Sequence, residues 1–243
     1  YTHNSFHPKK FSYLMDRAID NQALKGSDLP MPFAHSPIME RLTVGDICAM
    51  AEGDLDKNGK AKGPDSTFVR SNGVIGSSLE GYLFPDTYFF YVGDKPSSIL
   101  KHLIKMNESF WTKNHLMQSK KLNLSKHQIM TLASIIEGEA IYDSERAKIS
   151  AVYHNRLNIG MRLQADPTIQ YIIPDSPRRL LNKDLKIRSP YNTYLNWGLP
   201  PGPINSPGKN SILAALYPEK NDFLYFVATG DGYHTFTTNE KDH

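Results

Sequence analysis

Two glutamates, Glu137 and Glu139, are the residues of this sequence most capable of acid–base chemistry. They flank opposite edges of an apolar stripe in a predicted helix, so each carboxyl group is expected to be partly desolvated. Desolvation raises a carboxyl pKa toward the range that a general acid needs near neutral pH. A solvent-facing glutamate beside a core gives the same pattern, and periodicity does not choose between the two residues.

A polar motif, G-M-R-L-Q-A-D-P-T, follows the next predicted helix. It places Gln164, Asp166 and Thr168 in a loop, where polar side chains often face a ligand. Asp-Pro-Thr is equally typical of an ordinary turn or a helix start, so the motif alone does not establish a site.

An aromatic and amide cluster comes next, in S-P-Y-N-T-Y and the residues after it. Tyr191, Asn192, Tyr194 and Trp197 suit a sugar ring, whose C–H face stacks on aromatic rings and whose hydroxyls need donors and acceptors. Tyrosines pack in cores equally often, and the two interpretations stay open.

Other kinds of site lack their sequence signals. His234 and His243 invite a metal hypothesis, but no H-E-x-x-H, C-x-x-C or tight histidine pair accompanies them, so we expect no metal site. G-x-S-x-G and glycine-rich phosphate loops are absent, and Cys48 lies in a short apolar helix, where an inert buried thiol is expected.

Composition excludes several classes of protein. The 243 residues carry 28 Lys and Arg against 25 Asp and Glu, and a net charge of +3 is too small for a dedicated nucleic-acid binder. The single cysteine cannot form an intramolecular disulfide. No apolar run is long enough to span a membrane, so we expect a soluble chain, trimmed before Tyr1 together with any anchor.

The helix that carries both glutamates is predicted to begin at Ser125, where Gln128 completes a capping box. Its apolar stripe consists of Ile129, Leu132, Ala133, Ile136 and Ala140. A second helix is predicted from near Ser144 to Gly160, which suits a left-handed C-terminal cap.

The remaining patterns predict an α+β fold, with a small module before a larger domain of helices and strands. Residues 1–40 form an unassigned lead-in, 41–95 a small module and 96–243 the larger domain. Strands are predicted within 80–92, interrupted by a turn at Pro85 and Asp86, and a hairpin is predicted from 223 onward. Four prolines and three glycines exclude regular structure from 198–208.

The order of the motifs is distinctive from about residue 78 to the end. E-G-Y-L-F-P-D-T-Y is followed by L-A-S-I-I-E-G-E-A, the G-M-R-L-Q-A-D-P-T region, S-P-Y-N-T-Y, G-L-P-P-G-P-I, S-P-G, L-Y-F-V-A and H-T-F. This succession strongly resembles the YceG-like family of bacterial endolytic murein transglycosylases. The earlier L-T-V-G-D-I-C-A-M-A is similar, much more weakly, to that family's LysM-like subdomain.

The resemblance implies a lyase that cuts the β-1,4 bond between N-acetylmuramic acid and N-acetylglucosamine within glycan strands, leaves a 1,6-anhydro end and limits nascent strand length. The family's essential glutamate corresponds to Glu137, and Glu139 becomes a supporting or structural residue. Membership of the shared motifs implies the substrate-binding residues Gln164, Asp166, Thr168, Tyr191, Asn192, Tyr194, Trp197 and His234.

Further implications concern cofactors, partners and location. No metal or organic cofactor is required, because the C6 hydroxyl of the substrate can attack C1 in place of the second carboxylate that ordinary glycosidases use. The expected partners are peptidoglycan glycan strands and cell-wall synthases, at the periplasmic or extracytoplasmic face of the inner membrane, with the usual membrane anchor outside this chain.

Two other functions fit parts of the sequence. A noncatalytic glycan-binding module would keep the aromatic residues and Asn192 but would not need a partly buried Glu137. A pyridoxal-phosphate lyase would need a Schiff-base lysine and a phosphate cradle, and no lysine lies in a suitable motif.

Overall fold

The computed structural model describes residues 66–75, 79–86, 88, 96–174 and 177–239. Within these residues seven α-helices, one 3₁₀ turn and one two-stranded sheet give the mixed α+β composition that the sequence predicts. The elements are α1 (Ser66–Ser71), α2 (Pro96–Phe110), α3 (Lys113–Lys121), α4 (Lys126–Glu139), α5 (Asp143–Asn158), α6 (Asp166–Ile172), the 3₁₀ turn (Asp184–Lys186), α7 (Lys209–Leu216), β1 (Tyr225–Ala228) and β2 (His234–Thr237).

The chain divides into two compact units. Of the described residues, one unit holds Glu80–Phe84 and everything from Phe110 onward, and the other holds 66–75, residue 79, and the described part of 85–109. The lead-in 1–40 and residues 41–65, 76–78, 87 and 89–95 of the predicted LysM-like module, including Cys48, lie outside the described residues, so the module and its boundaries at 40 and 95 stay predictions. In the described part of the chain no helix is long and apolar enough to cross a membrane.

Helix α4 is the centre of the larger unit. Its predicted capping box is confirmed, because the Ser125 hydroxyl accepts from the Gln128 backbone N–H at 3.2 Å and the Gln128 side chain accepts from the Ser125 backbone N–H at 2.8 Å. Every residue from 129 to 136 is buried, so α4 is enclosed on all sides rather than along one stripe. Glu137 and Glu139, in its last turn, are less completely buried than these residues.

Helix α5 follows the predicted course closely. It runs from Asp143 to Asn158, and Gly160 adopts φ +65, the left-handed conformation expected after a helix. The backbone N–H of Met161 donates to the Arg156 carbonyl at 2.7 Å and closes the helix end. Helices α4, α5 and α7 pack against one another, which sets the ends of α4 and α7 beside the start of α5.

The proline-rich segment 198–208 is irregular, as predicted, and runs along α4. His127 Nε2 lies 2.7 Å from the Pro201 carbonyl oxygen near the start of α4, and the Ile204 backbone N–H donates to Ser134 Oγ at 3.0 Å further along. The Asn205 amide donates to the Ser134 carbonyl at 2.8 Å. The segment therefore arrives at the C-terminal end of α4 in a fixed register.

The predicted hairpin is confirmed. Strands β1 and β2 are antiparallel, with Tyr225 opposite Thr237 and Ala228 opposite His234. Two glycines of the connection, Gly230 and Gly232, have positive φ, which tight hairpin loops require.

The strand predicted at the start of 80–92 is wrong for the part that the structure describes. Residues 80–84 form turns and bends, and Gly81 adopts φ +84, which an extended strand does not allow. A Cβ atom on Gly81 would come within 2.4 Å of Pro203 Cγ. The apolar character of this segment reflects burial in the larger unit and not alternation across a sheet. The buried residues are Tyr82, Leu83 and Phe84.

Candidate functional site

Glu137 lies in the last turn of α4, and one of its carboxylate oxygens is held by three donors. Its Oε2 accepts hydrogen bonds from the Ser211 hydroxyl at 2.7 Å, the Gly208 backbone N–H at 3.1 Å and Arg146 Nη1 at 3.2 Å. The side chain is 16% exposed. None of the hydrogen bonds in the described part of the chain reaches Oε1, so this oxygen is the one open to an incoming group.

The guanidinium that contacts Glu137 is itself fixed. Arg146 Nη1 also donates to Ser211 Oγ, and its Nε donates to Asp143 Oδ1 at 2.6 Å. The Asn210 amide donates to the other oxygen of Asp143 at 2.7 Å. Because Arg146 is 9% exposed at its side chain, the charge sits in a site from which most water is excluded.

Glu139 has a different environment on the other side of the same helix end. Its Oε1 accepts from the Tyr153 hydroxyl at 2.7 Å, and Tyr153 is 1% exposed. Burial raises the pKa of Glu139 to about 7; the Tyr153 hydrogen bond opposes this shift, and the negative charge of Asp166 adds to it. The pKa range expected of a general acid is therefore found at Glu139.

The polar loop before α6 meets α4 beside these glutamates. Asp-Pro-Thr begins α6, which was one of the two ordinary structures the motif allowed, and the exposed Asp166 accepts from the Tyr194 hydroxyl. Pro167 packs on Gly138, where an added Cβ would come within 2.6 Å of it. Asp166, Tyr194 and Glu139 are thereby brought together.

Four of the predicted substrate-binding residues present accessible groups. Gln164 is exposed with φ +47, and its backbone N–H donates to the Thr193 carbonyl at 3.2 Å. Trp197 is 64% exposed, and the guanidinium carbon of Arg162 lies 4.6 Å from its ring centroid. Asp166 is exposed and Tyr194 half-buried.

The other four predicted residues are tied into the protein itself. Thr168 is fully buried and bonds to Thr193 at 2.9 Å. Asn192 is fully buried and donates to the carbonyls of Leu185 and Ile187 at 3.0 and 2.8 Å.

Tyr191 and His234 are also engaged internally. The Tyr191 ring lies 4.8 Å from that of Tyr171, whose hydroxyl donates to Glu80 at 3.3 Å. His234 Nδ1 lies 2.9 Å from Glu145 Oε2, with both side chains 9% exposed. His243 lies outside the described residues, and within them no group of three His, Cys, Asp or Glu side chains could hold a metal ion.

The partners of Glu137 were not predicted from the sequence. Arg146 is nine residues away on the next helix, and Gly208 and Ser211 are more than seventy residues away. A local signal existed only for Asp143 and Arg146, whose i,i+3 spacing at a helix start predicts an ion pair.

Two neighbouring, largely buried carboxyl groups, one of them with its pKa raised by burial, are typical of sites in enzymes that move protons to and from a substrate. The chain belongs to the YceG-like family, whose model matches residues 18–243.

Two relatives are named endolytic murein transglycosylase. The one from Bacillus subtilis (strain 168) is 46% identical over 173 residues, which cover 71% of this chain and 48% of the relative. The one from Streptococcus pneumoniae serotype 2 (strain D39 / NCTC 7466) is 36% identical over 174 residues, covering 68% of this chain and 31% of the relative. The chain thus spans about half the length of the first relative and about a third of the second.

A solved structure is similar as well. A crystal structure of a yceG-like protein from Listeria monocytogenes superposes with a TM-score of 0.66 at 35% sequence identity. The match covers 81% of this chain and 65% of that one.

Proposed function

We propose that this chain carries the catalytic centre of an endolytic peptidoglycan lytic transglycosylase, in which Glu137 serves as both acid and base. The observation that carries the proposal is the Glu137 carboxyl group, with Oε2 held by three donors and Oε1 left open. A carboxyl group fixed in this way is preorganised for proton transfer at a single atom. Family membership and the names of the relatives support the substrate class.

The reaction proceeds in two proton transfers at Oε1 of Glu137. Glu137 first gives its proton to the glycosidic oxygen as the C1–O4 bond between N-acetylmuramic acid and N-acetylglucosamine breaks. The C6 hydroxyl of the muramic acid then attacks C1, and its proton passes to the Glu137 carboxylate. The new C1–O6 bond gives the 1,6-anhydro end, the proton inventory of the enzyme is restored, and no water is consumed.

The sugar-binding face comprises Gln164, Asp166, Tyr194 and Trp197. An exposed indole offers a flat apolar surface for the C–H face of a sugar, and Asp166 and Gln164 offer acceptors and a donor for hydroxyl and N-acetyl groups. Thr168 and Asn192 serve this face by fixing the backbone around Thr193 and Tyr194, because Thr168 bonds Thr193 and Asn192 Oδ1 accepts from the Tyr194 backbone N–H at 2.8 Å.

The same proposal places the protein at the extracytoplasmic face of the bacterial inner membrane. Its partners there are glycan strands and the synthases that extend them, and cutting within nascent strands limits their length. The names of the relatives support this location, because they state an activity on murein and murein is a polymer of the cell envelope.

The test measures turnover and binding separately on defined glycan strands. Glu137→Gln keeps the side-chain shape but cannot deliver a proton, so turnover should fall by at least about 10²- to 10⁴-fold while strand affinity is retained. Glu139→Gln is the matched control on the same helix end, and its loss should be much smaller.

Two results would contradict the assignment. Retention of a tenth of the activity by Glu137→Gln would remove Glu137 from its role, and a larger loss in Glu139→Gln would transfer that role to the carboxyl group with the raised pKa. Strand binding without turnover in the unmodified chain would favour the noncatalytic glycan-binding module.

A further inference from the structure

Two tyrosines outside the proposed sugar-binding face form an exposed aromatic platform. The rings of Tyr142 and Tyr233 stack with centroids 4.3 Å apart and an angle of 20° between their planes. Tyr142 is 39% exposed and Tyr233 is 44% exposed. Each tyrosine therefore keeps a substantial part of its surface open to solvent although the rings are stacked.

The hairpin connection that carries Tyr233 is built to hold this arrangement. The Tyr233 backbone N–H donates to Asp231 Oδ1 at 3.1 Å, and the Tyr233 carbonyl accepts from the Thr229 backbone N–H at 2.9 Å. Gly232 adopts φ +92 and lies so close that an added Cβ would come within 3.0 Å of Tyr142 Cε2. A side chain at 232 would both strain the backbone and push the two rings apart.

The hairpin is also anchored to α5 immediately after Tyr233. Glu145 accepts from the His234 backbone N–H at 3.0 Å with Oε1 and lies 2.9 Å from His234 Nδ1 with Oε2. His234 therefore fixes the hairpin by an internal contact, and the adjacent Tyr233 is the residue whose side chain remains accessible. An ordered loop with exposed tyrosines binds with little loss of conformational entropy.

The platform is linked to the Glu137 centre through the chain and through hydrogen bonds. Tyr142 directly precedes Asp143, which holds Arg146, and Arg146 holds Glu137. Tyr142 is also only three residues beyond the end of α4. A polymer bound across Oε1 of Glu137 therefore has an aromatic surface at the junction of α4 and α5 as well as at Trp197.

We propose that Tyr142 and Tyr233 form an additional saccharide subsite, which stacks on a sugar of the glycan strand beyond the one cleaved at Glu137. This inference rests on the proposed function. Aromatic faces bind the C–H faces of pyranose rings, and within the described residues the Tyr233 hydroxyl has no hydrogen-bond partner and is free to bond a sugar hydroxyl. The occupant is a glycan strand rather than a protein, because Tyr142 directly precedes Asp143, which contacts the same Arg146 that holds the proposed strand-cutting residue Glu137.

The test uses the Glu137→Gln chain, which permits binding without turnover, and a peptide-free hexasaccharide of alternating N-acetylglucosamine and N-acetylmuramic acid. Adding Tyr142→Ala or Tyr233→Ala should weaken hexasaccharide binding by about three- to tenfold, the loss expected for one stacking contact. Tyr142→Phe and Tyr233→Phe keep the rings and should retain most of the affinity. Tyr217→Ala removes an equally exposed tyrosine, 45% accessible at the far end of α7, and should change nothing.

A second measurement uses no alanine variant, so it tests the subsite even if an alanine variant fails to fold. With ¹³C-labelled tyrosine rings, the signals of Tyr142 and Tyr233 should shift on adding the hexasaccharide while that of Tyr217 stays in place. Unshifted signals, or alanine variants that bind like the parent, overturn the subsite while turnover by the unmodified chain leaves the proposed function standing. A chain that neither binds nor cleaves the strand overturns both.

Discussion

Arg146 and Glu137 join two consecutive helices at the point where the open carboxylate oxygen is presented. Nη1 of Arg146 lies 3.2 Å from Oε2 of Glu137 and also bonds to Ser211, so a single guanidinium fixes the orientation of the carboxyl group and of one of its hydroxyl donors. These contacts of Arg146 and Ser211, here called the clamp, set the direction in which Oε1 of Glu137 points. In the proposed mechanism the position of Oε1 therefore depends on Arg146 and Ser211, which contact the other carboxylate oxygen.

Arg146→Met should lower kcat by about 100-fold, because a misplacement of about 1 Å at a reacting group costs that much. Arg146→Lys keeps the charge but not the planar fork and should recover only part of the loss. The pH dependence of kcat should change as well, since the charge beside Glu137 is removed in Met and kept in Lys.

The matched control is a second arginine–aspartate pair in the same unit. Arg178 donates to both oxygens of Asp184 at 2.7 and 2.8 Å, and Arg178→Met should affect stability without changing the pH profile of kcat. Equal kcat values for Arg146→Met and the unmodified chain would show that the clamp does not position Glu137.

Stability should fall as the pH rises from about 5 to above 7, because two buried carboxyl groups must ionise in the folded state. Burial raises the pKa values of Glu139 and Glu80 from the usual 4.5 to about 7. Between these values the folded chain binds more protons than the unfolded chain, so the free energy of unfolding decreases with pH, on the order of 3 kcal/mol per group.

Urea denaturation at several pH values checks this expectation. Glu139→Gln and Glu80→Gln should each reduce the decrease in the free energy of unfolding with pH, and the double variant should reduce it further. A decline of the same size in the double variant would assign the pH dependence to other groups.

Gly138→Ala should destabilise the larger unit by about 1 to 3 kcal/mol, the usual cost of overpacking. Replacing an ordinary glycine in a helix interior by alanine stabilises the folded protein by about 1 kcal/mol. Here the new Cβ would lie 2.6 Å from Pro167 Cβ and 2.8 Å from Pro167 Cγ.

Gly208→Ala is a suitable comparison for the Gly138 substitution. Its φ is −70, and its nearest contact to an added Cβ is Glu137 Oε2 at 3.6 Å, so thermal unfolding should be nearly unchanged. A stabilising Gly138→Ala would mean that α6 moves freely away from α4.

Local patterns predicted those elements whose signals lie within a few residues. The capping box at Ser125, the left-handed Gly160, the irregular segment 198–208 and the hairpin each depend on contacts or dihedral preferences between near neighbours. Residues 80–84 were assigned wrongly because a run of buried aromatic residues looks like a strand. The contact of Gly81 with Pro203 that forces the turn is long-range.

Of the candidate site, sequence periodicity predicted only the placement of Glu137 and Glu139, and the choice of Glu137 over Glu139 came from the family resemblance and stays a prediction. Helical periodicity placed two carboxylates at the end of α4, but their difference comes from Tyr153 on one side and from Arg146, Gly208 and Ser211 on the other. No periodic pattern shows these contacts. The same holds for Asn192, whose amide looks available in sequence and is buried among backbone carbonyls in the structure.

The composition of the product separates lytic from hydrolytic cleavage. If the C6 hydroxyl attacks C1, no water is added, and each cut leaves a muramic acid terminus one water lighter than hydrolysis would. Hydrolysis needs a second carboxylate across the scissile bond from the acid. Glu139 is two residues from Glu137, about 200° around the helix, and its Oε1 is bonded to the buried Tyr153, so it does not face the same bond.

We therefore expect that digestion of glycan strands in ¹⁸O-labelled water leaves the new muramic acid ends unlabelled in mass spectra. Hydrolysis in a parallel digest with a muramidase is the control, because it must introduce the label. Label at the ends produced by this chain would mean that water is the nucleophile, and it would make Asp166, an exposed carboxylate whose charge acts on Glu139, the first residue to substitute.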